Sequence, residues 1–413
     1  MQYSLSKESV LKWLEDPSVY HIKKDELYEL DDEAFEFLKG CQSVYCYAEL
    51  RTCHAEFISA SKKKTLNQVQ GDAISLATKK FIDYCLKEGF LTKNKVSLRR
   101  PPLKKSPVPS LRYLELQITD RCNLRCRHCY INPPSPPFSK GGMGGFELSL
   151  SRITRALTEF EEMQGLRVLI TGGEPLLHSR FKEINSMLPE FFVRKILFTN
   201  GLLLSKEVLK NINVDEIQIS IDGLEKAHDS LRGKGTFKSA MKAAGLSIDY
   251  GFEVSISTMV HSKNTGDFDK METLFKKIGI KDWTVDIPCV AGRLRENTDF
   301  QLSPKQAGKY LAYGYGSWIH SGEKGFGCGL HLMSVSANGK ISKCTFYSDR
   351  AVGTIKDGLR KCWEKIKPVR LDKLECDCEY IEKCRGGCRY RAEMLGDAKG
   401  KDLYRCALYG QSF

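Results

Sequence analysis

The sequence predicts an α/β protein built on a parallel sheet that closes, fully or in part, into a (β/α) barrel. Three observations predict it. Between Leu111 and about Cys289, six β-rich runs alternate with helical segments: "LRYLELQIT", "LRVLITG", "KILFTNG", "EIQISID", "FEVSISTMV" and "WTVDIP". Before them, "RRPPLKKSPVPS" (99–110) cannot continue a helix or a central strand, because proline lacks the amide donor and restricts its predecessor. After them, Cys328, Cys344, Cys362, Cys376, Cys378, Cys384, Cys388 and Cys406 are too dense to be core filling. The expected organisation is 1–98, a linker at 99–110, a barrel at 111–300 and a cysteine-rich block at 318–413.

A chain of 413 residues, 41% of them hydrophobic, can bury a sizeable core and divide into two or three domains. The N-terminal "MQYSLSKESVLKWLEDPSVY" has no uninterrupted apolar run, and no 18-residue apolar stretch follows, so a cytoplasmic protein with no membrane association is expected. Sixteen cysteines in a large unsecreted chain point to bound metal rather than to disulfides. The net charge of +13 raises nucleic acid as a partner. The basic residues are nevertheless spread along the chain, and the tightest runs, "SLRRPPLKKS" and "SKKKT", fall in linker-like segments, which argues against it.

In the first block, "SKESVLKWLED" reads as a helix with Ser6 as N-cap, and "VYHIKKDELYEL" as two short strands around a polar turn. "DDEAFEFLKG" reads as a helix stopped by Gly40. A second helix runs through "ISLATKKFIDYCLKEG", with Ile74, Ala77, Phe81 and Cys85 on one face and Gly89 as its stop. Residues 53–72 fit neither period and read as a surface insertion. Cys41, Cys46, Cys53 and Cys85 have no ligand spacing and read as ordinary thiols.

In the barrel, right-handed crossovers put the loops after the strands at one end, which should carry the site. The loop after the first strand holds Cys122, Cys126 and Cys129 in "TDRCNLRCRHCYINP". Three thiolates from one loop can grip three irons of a cubane and leave the fourth open, or join a distant fourth ligand in a zinc site or closed cluster. "LITGGEPLL" places Gly172, Gly173 and Glu174 after the second strand, where glycines expose backbone groups and a carboxylate can take an ammonium group. Residues 132–146, "NPPSPPFSKGGMGGF", are too rich in proline and glycine to fold alone and read as a second insertion.

CxxxCxxC after the first strand, "TGGEP" after the second, "TNG" after the third and "SIDG" after the fourth together resemble the radical S-adenosylmethionine (SAM) enzymes, over about 180 residues. The resemblance implies a partial (β/α)6 barrel in which Cys122, Cys126 and Cys129 hold a [4Fe-4S] cluster whose fourth iron is chelated by SAM. It places His128 near the adenine, Gly172, Gly173 and Glu174 at the methionine amine, Asn200 and Ser220 near the ribose, and Arg232 at the carboxylate. Asp222 reads equally as a turn former. "PCVAGR" is expected to close the pocket through its backbone.

The C-terminal block resembles the SPASM domain of these enzymes, which carries two auxiliary [4Fe-4S] clusters. The resemblance assigns Cys328, Cys344 and Cys388 to the first and Cys376, Cys378, Cys384 and Cys406 to the second. "SVSANGKIS" reads as a hairpin turning at Ala337, Asn338 and Gly339. Two departures stand out: a single residue separates Cys376 from Cys378, and the first set lacks a fourth cysteine at the family position. Cys289 and Cys362 are the candidates to complete it; an open iron or a non-cysteine ligand are the alternatives.

The class of reaction implied is reductive cleavage of SAM to a 5′-deoxyadenosyl radical, with electrons from a low-potential donor such as a flavodoxin or ferredoxin. The first block resembles the winged-helix peptide-recognition domain of peptide-modifying relatives, which adds a leader peptide to a strand edge near "ELYEL"; a helical cap is the plain alternative. The expected function is oxidation or cross-linking of a ribosomally made peptide that bears a leader. Tailoring of a haem-like or quinone cofactor, sulfatase maturation and a non-catalytic iron–sulfur carrier are the competing readings.

Overall fold

A computed structural model describes residues 2–42, 46–47, 58–59, 62–63, 73–131, 145–316 and 324–411. Most of both insertions (53–72 and 132–146) and Cys53 lie outside the described residues, as do the side chains of Ile74 and Ala77. The chain forms two compact units, the first made of 1–112 with 157–167 and 189–194, the second of 113–156, 168–188 and 195–413. No helix among the described residues is long and apolar enough to cross a membrane.

The first unit begins with β1 (Gln2–Leu5), β2 (Ser9–Trp13), β3 (Pro17–His21), β4 (Glu26–Glu29) and α1 (Asp32–Gly40). Two-residue strands β5 (Cys46–Tyr47), β6 (Ile58–Ser59) and β7 (Lys62–Lys63) follow, then α2 (Ala73–Glu88) and β8 (Leu91–Thr92). β2, β3 and β4 form an antiparallel meander, and β6 pairs with β4 through Tyr28↔Ser59 and Glu29↔Ile58. Asp31 caps α1 by accepting from the Ala34 amide at 2.8 Å, and Phe37 meets Phe81 of α2 edge-on.

The expected first helix is instead a turn and strand β2, and Ser6 caps nothing. The reason is burial on both faces. Val10 packs with Tyr20, Ile22 and Leu166, while Leu11 packs with Val19 and Phe35 on the other side. A strand buried on both faces loses the alternation by which strands are read, and its apolar residues fall at helix-like spacings. Lys12 is buried too, its Nζ donating to the Gly165 carbonyl at 2.7 Å and the Phe192 carbonyl at 3.1 Å.

All six barrel strands form where the sequence places them: β9 (Tyr113–Thr119), β10 (Arg167–Gly172), β11 (Arg194–Thr199), β12 (Glu216–Ser220), β13 (Glu253–Met259) and β14 (Asp282–Asp286). They alternate with α3 (Leu150–Glu162), α4 (Phe181–Met187), α5 (Lys206–Asn211), the pair α6 (Glu225–Arg232) and α7 (Thr236–Asp249), and α8 (Phe268–Ile278). Pairing from β11 through β14 is parallel. Leu114, Val168, Leu197, Ile217, Ile219 and Ile256 are buried within it, as expected where helices cover a parallel sheet.

The C-terminal block belongs to the same compact unit as the barrel. After the short α9 (Pro304–Ala307), β15 (Leu332–Val335) pairs in parallel with β9 in the register Leu332↔Tyr113. β16 (Lys340–Ser342) returns antiparallel through the expected turn, and β17 (Gly353–Thr354) completes a nine-stranded sheet. Four short helices follow: α10 (Leu359–Lys365), α11 (Ile381–Cys384), α12 (Arg389–Met394) and α13 (Leu403–Leu408).

Candidate active site

The loops at the C-terminal ends of β9 to β12 bring together most of the residues singled out in the sequence. The cysteine loop after β9 is tied to α6 by the Arg127 amide, which donates to the Leu231 carbonyl at 2.9 Å. The "PCVAGR" segment meets it from the other side, the Arg293 amide donating to the Cys129 carbonyl at 3.0 Å. Glycine is required in "TGGEP": a Cβ on Gly172 would stand 2.2 Å from the Thr119 carbonyl oxygen, and one on Gly173 2.4 Å from that of Arg121. The second and first loops therefore interlock backbone to backbone.

Burial pushes the Cys122 thiol up to about 12 and raises that of Cys126, with the neighbouring thiols adding to it. Such thiols stay protonated until metal binds, and binding releases the protons. Cys126 is buried and has a cation beside it: Arg232 Nη1 lies 3.8 Å from its sulfur. Asp222 holds that guanidinium, accepting from Arg232 Nε at 2.5 Å and from the Met259 amide at 2.7 Å. Asp222 is thus no mere turn former. It is fully buried, and although burial alone raises its pKa, Arg232 first and then His128 and His228 hold it below the usual carboxylate range. Its backbone amide donates to His228 Nδ1, and its carbonyl meets His261 Nε2 at 2.9 Å.

His128 joins this cluster from the cysteine loop, its Nε2 3.9 Å from Asp222 Oδ2. It is not a surface residue: burial pushes it down to about 3, and its Nδ1 is buried without a hydrogen-bond partner among the described residues. Asn200 donates from Nδ2 to Asn123 Oδ1 of the cysteine loop at 2.8 Å. Ser220 ends β12 half-buried.

Glu174 is held within the fold. Its carboxylate is completely buried, with Oε1 accepting from Thr199 Oγ1 at 2.8 Å and Oε2 from the Asn200 amide at 2.9 Å. Both oxygens are engaged within the fold, so the side chain fastens the second loop to the third strand, while a carboxylate keeps further lone pairs for another donor.

Burial raises Glu174 to about 7 against the pull of those hydrogen bonds. Between the ordinary carboxyl range and pH 7 the folded chain keeps a proton that the unfolded chain has lost, so stability falls as pH rises through this window. The expected loss is on the order of 3 kcal/mol. Denaturant midpoints of SAM-free protein at pH 5 and pH 7.5 should show that slope and a flatter one in Glu174→Gln; equal slopes would refute the assignment.

In the C-terminal block, the charge of Cys388 raises Cys328 and those of Cys328 and Cys388 raise Cys344, while Cys378 raises Cys376, Cys378 and Cys376 raise Cys384, and Cys376 and Cys384 raise Cys406, which places the cysteines in two groups. The single-residue spacing of Cys376 and Cys378 therefore does not part them. Arg385, Gly386 and Gly387, at φ 52°, 73° and 66°, are three successive left-handed residues. They turn the chain so that Cys384 joins one group and Cys388 the other. Cys289, beyond β14, meets the first group: Cys388 packs against the buried cluster to which Cys289 belongs. Cys362 lies apart, its thiol donating to the Thr354 carbonyl at 3.8 Å.

Two features test whether these thiols suit iron–sulfur clusters. Backbone amides two residues on point at the sulfurs of Cys122, Cys378 and Cys384, from Leu124 at 3.4 Å, Tyr380 at 3.4 Å and Gly386 at 3.3 Å. Such hydrogen bonds favour thiolates bound to a cluster. Arg389 is buried, and among the described residues its Nε and Nη2 have no partner, while its charge acts on both Cys328 and Cys376. A buried cation with spare donors is costly unless something anionic accompanies it, and thiolate-ligated clusters are anionic. Among the described residues, no group of three or more His, Cys, Asp or Glu is arranged to hold a single metal ion.

Fold and thiol loop together point to a radical SAM domain: residues 116–275 match the Radical SAM superfamily, whose members are enzymes that work with SAM and a [4Fe-4S] cluster. Its relatives differ in chemistry. The AdoMet-dependent heme synthase of Nitratidesulfovibrio vulgaris is 24% identical over 70% of this chain and 90% of its own length. The subtilosin biosynthesis protein AlbA of Bacillus subtilis is 28% identical over 50% of this chain, and the match spans only 46% of AlbA. Among solved structures, Streptococcus suis SuiB bound to precursor peptide SuiA superposes with a TM-score of 0.63 at 15% identity, covering 97% of this chain and 98% of SuiB. That likeness, first unit included, is one of fold.

Proposed function

We propose that this enzyme oxidatively modifies or cross-links a ribosomally made peptide by radical SAM chemistry. Cys122, Cys126 and Cys129 would hold the SAM-binding cluster, and Cys328, Cys344 and Cys388, with Cys376, Cys378, Cys384 and Cys406, two auxiliary clusters. When bound, SAM and its cluster supply a 5′-deoxyadenosyl radical that takes a hydrogen atom from the substrate. The chain's own work is placement and charge. Arg232, held by Asp222, sets a positive charge beside Cys126 and at the carboxylate end of the SAM site. Gly172 and Gly173 offer backbone to the methionine amine, Asn200 and Ser220 offer polar groups at the strand ends, and the unpartnered Nδ1 of His128 is poised for the adenine. A flavodoxin- or ferredoxin-class donor would deliver the electrons.

The observation that carries the peptide reading is the strand edge of the first unit. β4, the "ELYEL" strand, is the outer member of the β2–β3–β4 meander, and on its outer side it pairs with a short antiparallel strand, Ile58–Ser59, with Lys62–Lys63 beyond. A leader peptide would pair there in place of that two-residue strand, through main-chain hydrogen bonds with side-chain pockets at alternate positions. The full-length likeness to peptide-bound SuiB and the similarity to AlbA support the same reading.

The test is anaerobic reconstitution with SAM, a strong reductant and a peptide encoded beside the gene. Expected are 5′-deoxyadenosine and a peptide lighter by a pair of hydrogens. A second reading, tailoring of a haem-like compound, is favoured by the heme synthase similarity over 70% of the chain. Turnover of a porphyrin with the peptide left unchanged would establish it and reject the first.

A further inference from the structure

We infer that Cys289 is the fourth protein ligand of the auxiliary cluster held by Cys328, Cys344 and Cys388, which closes that cluster to substrate and leaves it the role of passing electrons. The inference rests on the auxiliary-cluster reading above. In the chain Cys289 belongs to the barrel, just beyond β14, and no spacing links it to the C-terminal cysteines.

Arg391 makes the link. Its Nη1 donates to Asp286 Oδ1 at 2.6 Å and to the Ile287 carbonyl at 2.9 Å, the residues that lead into Cys289. Its Nη2 donates to Asp402 Oδ2 at 2.9 Å, and that oxygen also accepts from the Cys388 amide at 2.8 Å. One buried guanidinium therefore clamps the two cysteine-bearing backbones together. Between them Cys388 packs against the buried cluster that holds Cys289. Ala291 and the rings of Tyr130, Phe346, Tyr347 and Tyr390 pack around the pair. Cys362, the rival candidate, is committed to the Thr354 carbonyl and to the core beneath the hairpin.

Ligation would replace the Cys289 S–H bond by an S–Fe bond, with the proton leaving to solvent and no change in oxidation state. Cys388 likewise exchanges its S–H bond for a bond to its own iron, its proton also leaving to solvent. A cubane with four cysteines has no open position, whereas one with three keeps an iron for water or substrate.

The test uses the full chain carrying Cys122→Ala, Cys126→Ala and Cys129→Ala, so that auxiliary clusters alone remain. After reconstitution it should hold about eight irons and stay silent in electron paramagnetic resonance on mild oxidation, since closed cubanes keep their irons. Adding Cys289→Ala should yield about one [3Fe-4S] signal per chain, or a loss of about four irons, and adding Cys362→Ala neither. An iron count and oxidised spectrum unchanged by Cys289→Ala overturn the inference. Should that variant not fold, Cys289→Ser must alter the signal of one reduced cluster, and an unaltered signal has the same force. A background variant that binds no iron instead overturns the auxiliary-cluster reading itself.

Discussion

Replacing Cys126 with alanine is expected to abolish 5′-deoxyadenosine formation. Cys126 is the most buried of the three loop cysteines and the one that meets Arg232. Its loss removes one of three soft ligands from the SAM-binding cluster and leaves the guanidinium facing a methyl group. Changes one shell further out from a metal already cost about 10–100-fold in affinity or activity, and removal of a ligand should exceed that. Iron should fall by about four per chain as that cluster is lost. Cys85→Ala, at a buried thiol of the first unit, should change neither quantity. Wild-type nucleoside production by the Cys126→Ala enzyme would remove the basis for the proposed chemistry.

The second large effect is on stability. Arg391→Leu should lower the melting temperature of the reconstituted protein by roughly 3–6 °C. Arg391 and Asp402 are both buried, and removing the guanidinium leaves the Asp402 carboxylate with the Cys388 amide but without its counter-charge. Breaking a buried pair from one side costs about 3–5 kcal/mol, a large share of a stability of about 5–15 kcal/mol. Adding Asp402→Asn should restore part of the loss, because the uncompensated charge is then gone. Arg391→Lys should rescue poorly, since a single ammonium cannot span Asp286, Ile287 and Asp402 at once. A variant melting with the wild type would show that the clamp carries no such energy.

The barrel is legible in the sequence because its strands are β-rich runs punctuated by turn residues, and the cysteine loop because three thiols so closely spaced suit little besides metal or cluster binding. What escapes a linear reading depends on partners distant in the chain. Glu174 reads as a free carboxylate, but it also fastens to Thr199 and Asn200, contacts that exist only once β10 and β11 lie side by side. Asp222 looks like half of a turn because the cation and imidazoles that make it a hub come from three other segments. A "SIDG" strand end followed by an arginine at Arg232 is the available hint. β2 escapes for the opposite reason, since a short strand buried on both faces carries no alternating signal. Cys289 is one of two candidates for a vacancy, and only the path of Arg391 between two backbones separates them.

The pairing of β15 with β9 bears on how the molecule can be cut. A cysteine-rich block is tempting to treat as a detachable module, to be deleted or grafted onto another barrel. Here the block supplies the neighbour of the very strand that carries the SAM-site loop. Chains ending near residue 300 would leave β9 as a bare edge, its amides and carbonyls open to other molecules, and such edges invite aggregation. Barrel and cysteine-rich block therefore share one nine-stranded sheet, and exchange of either between chains is expected to succeed only when both move together.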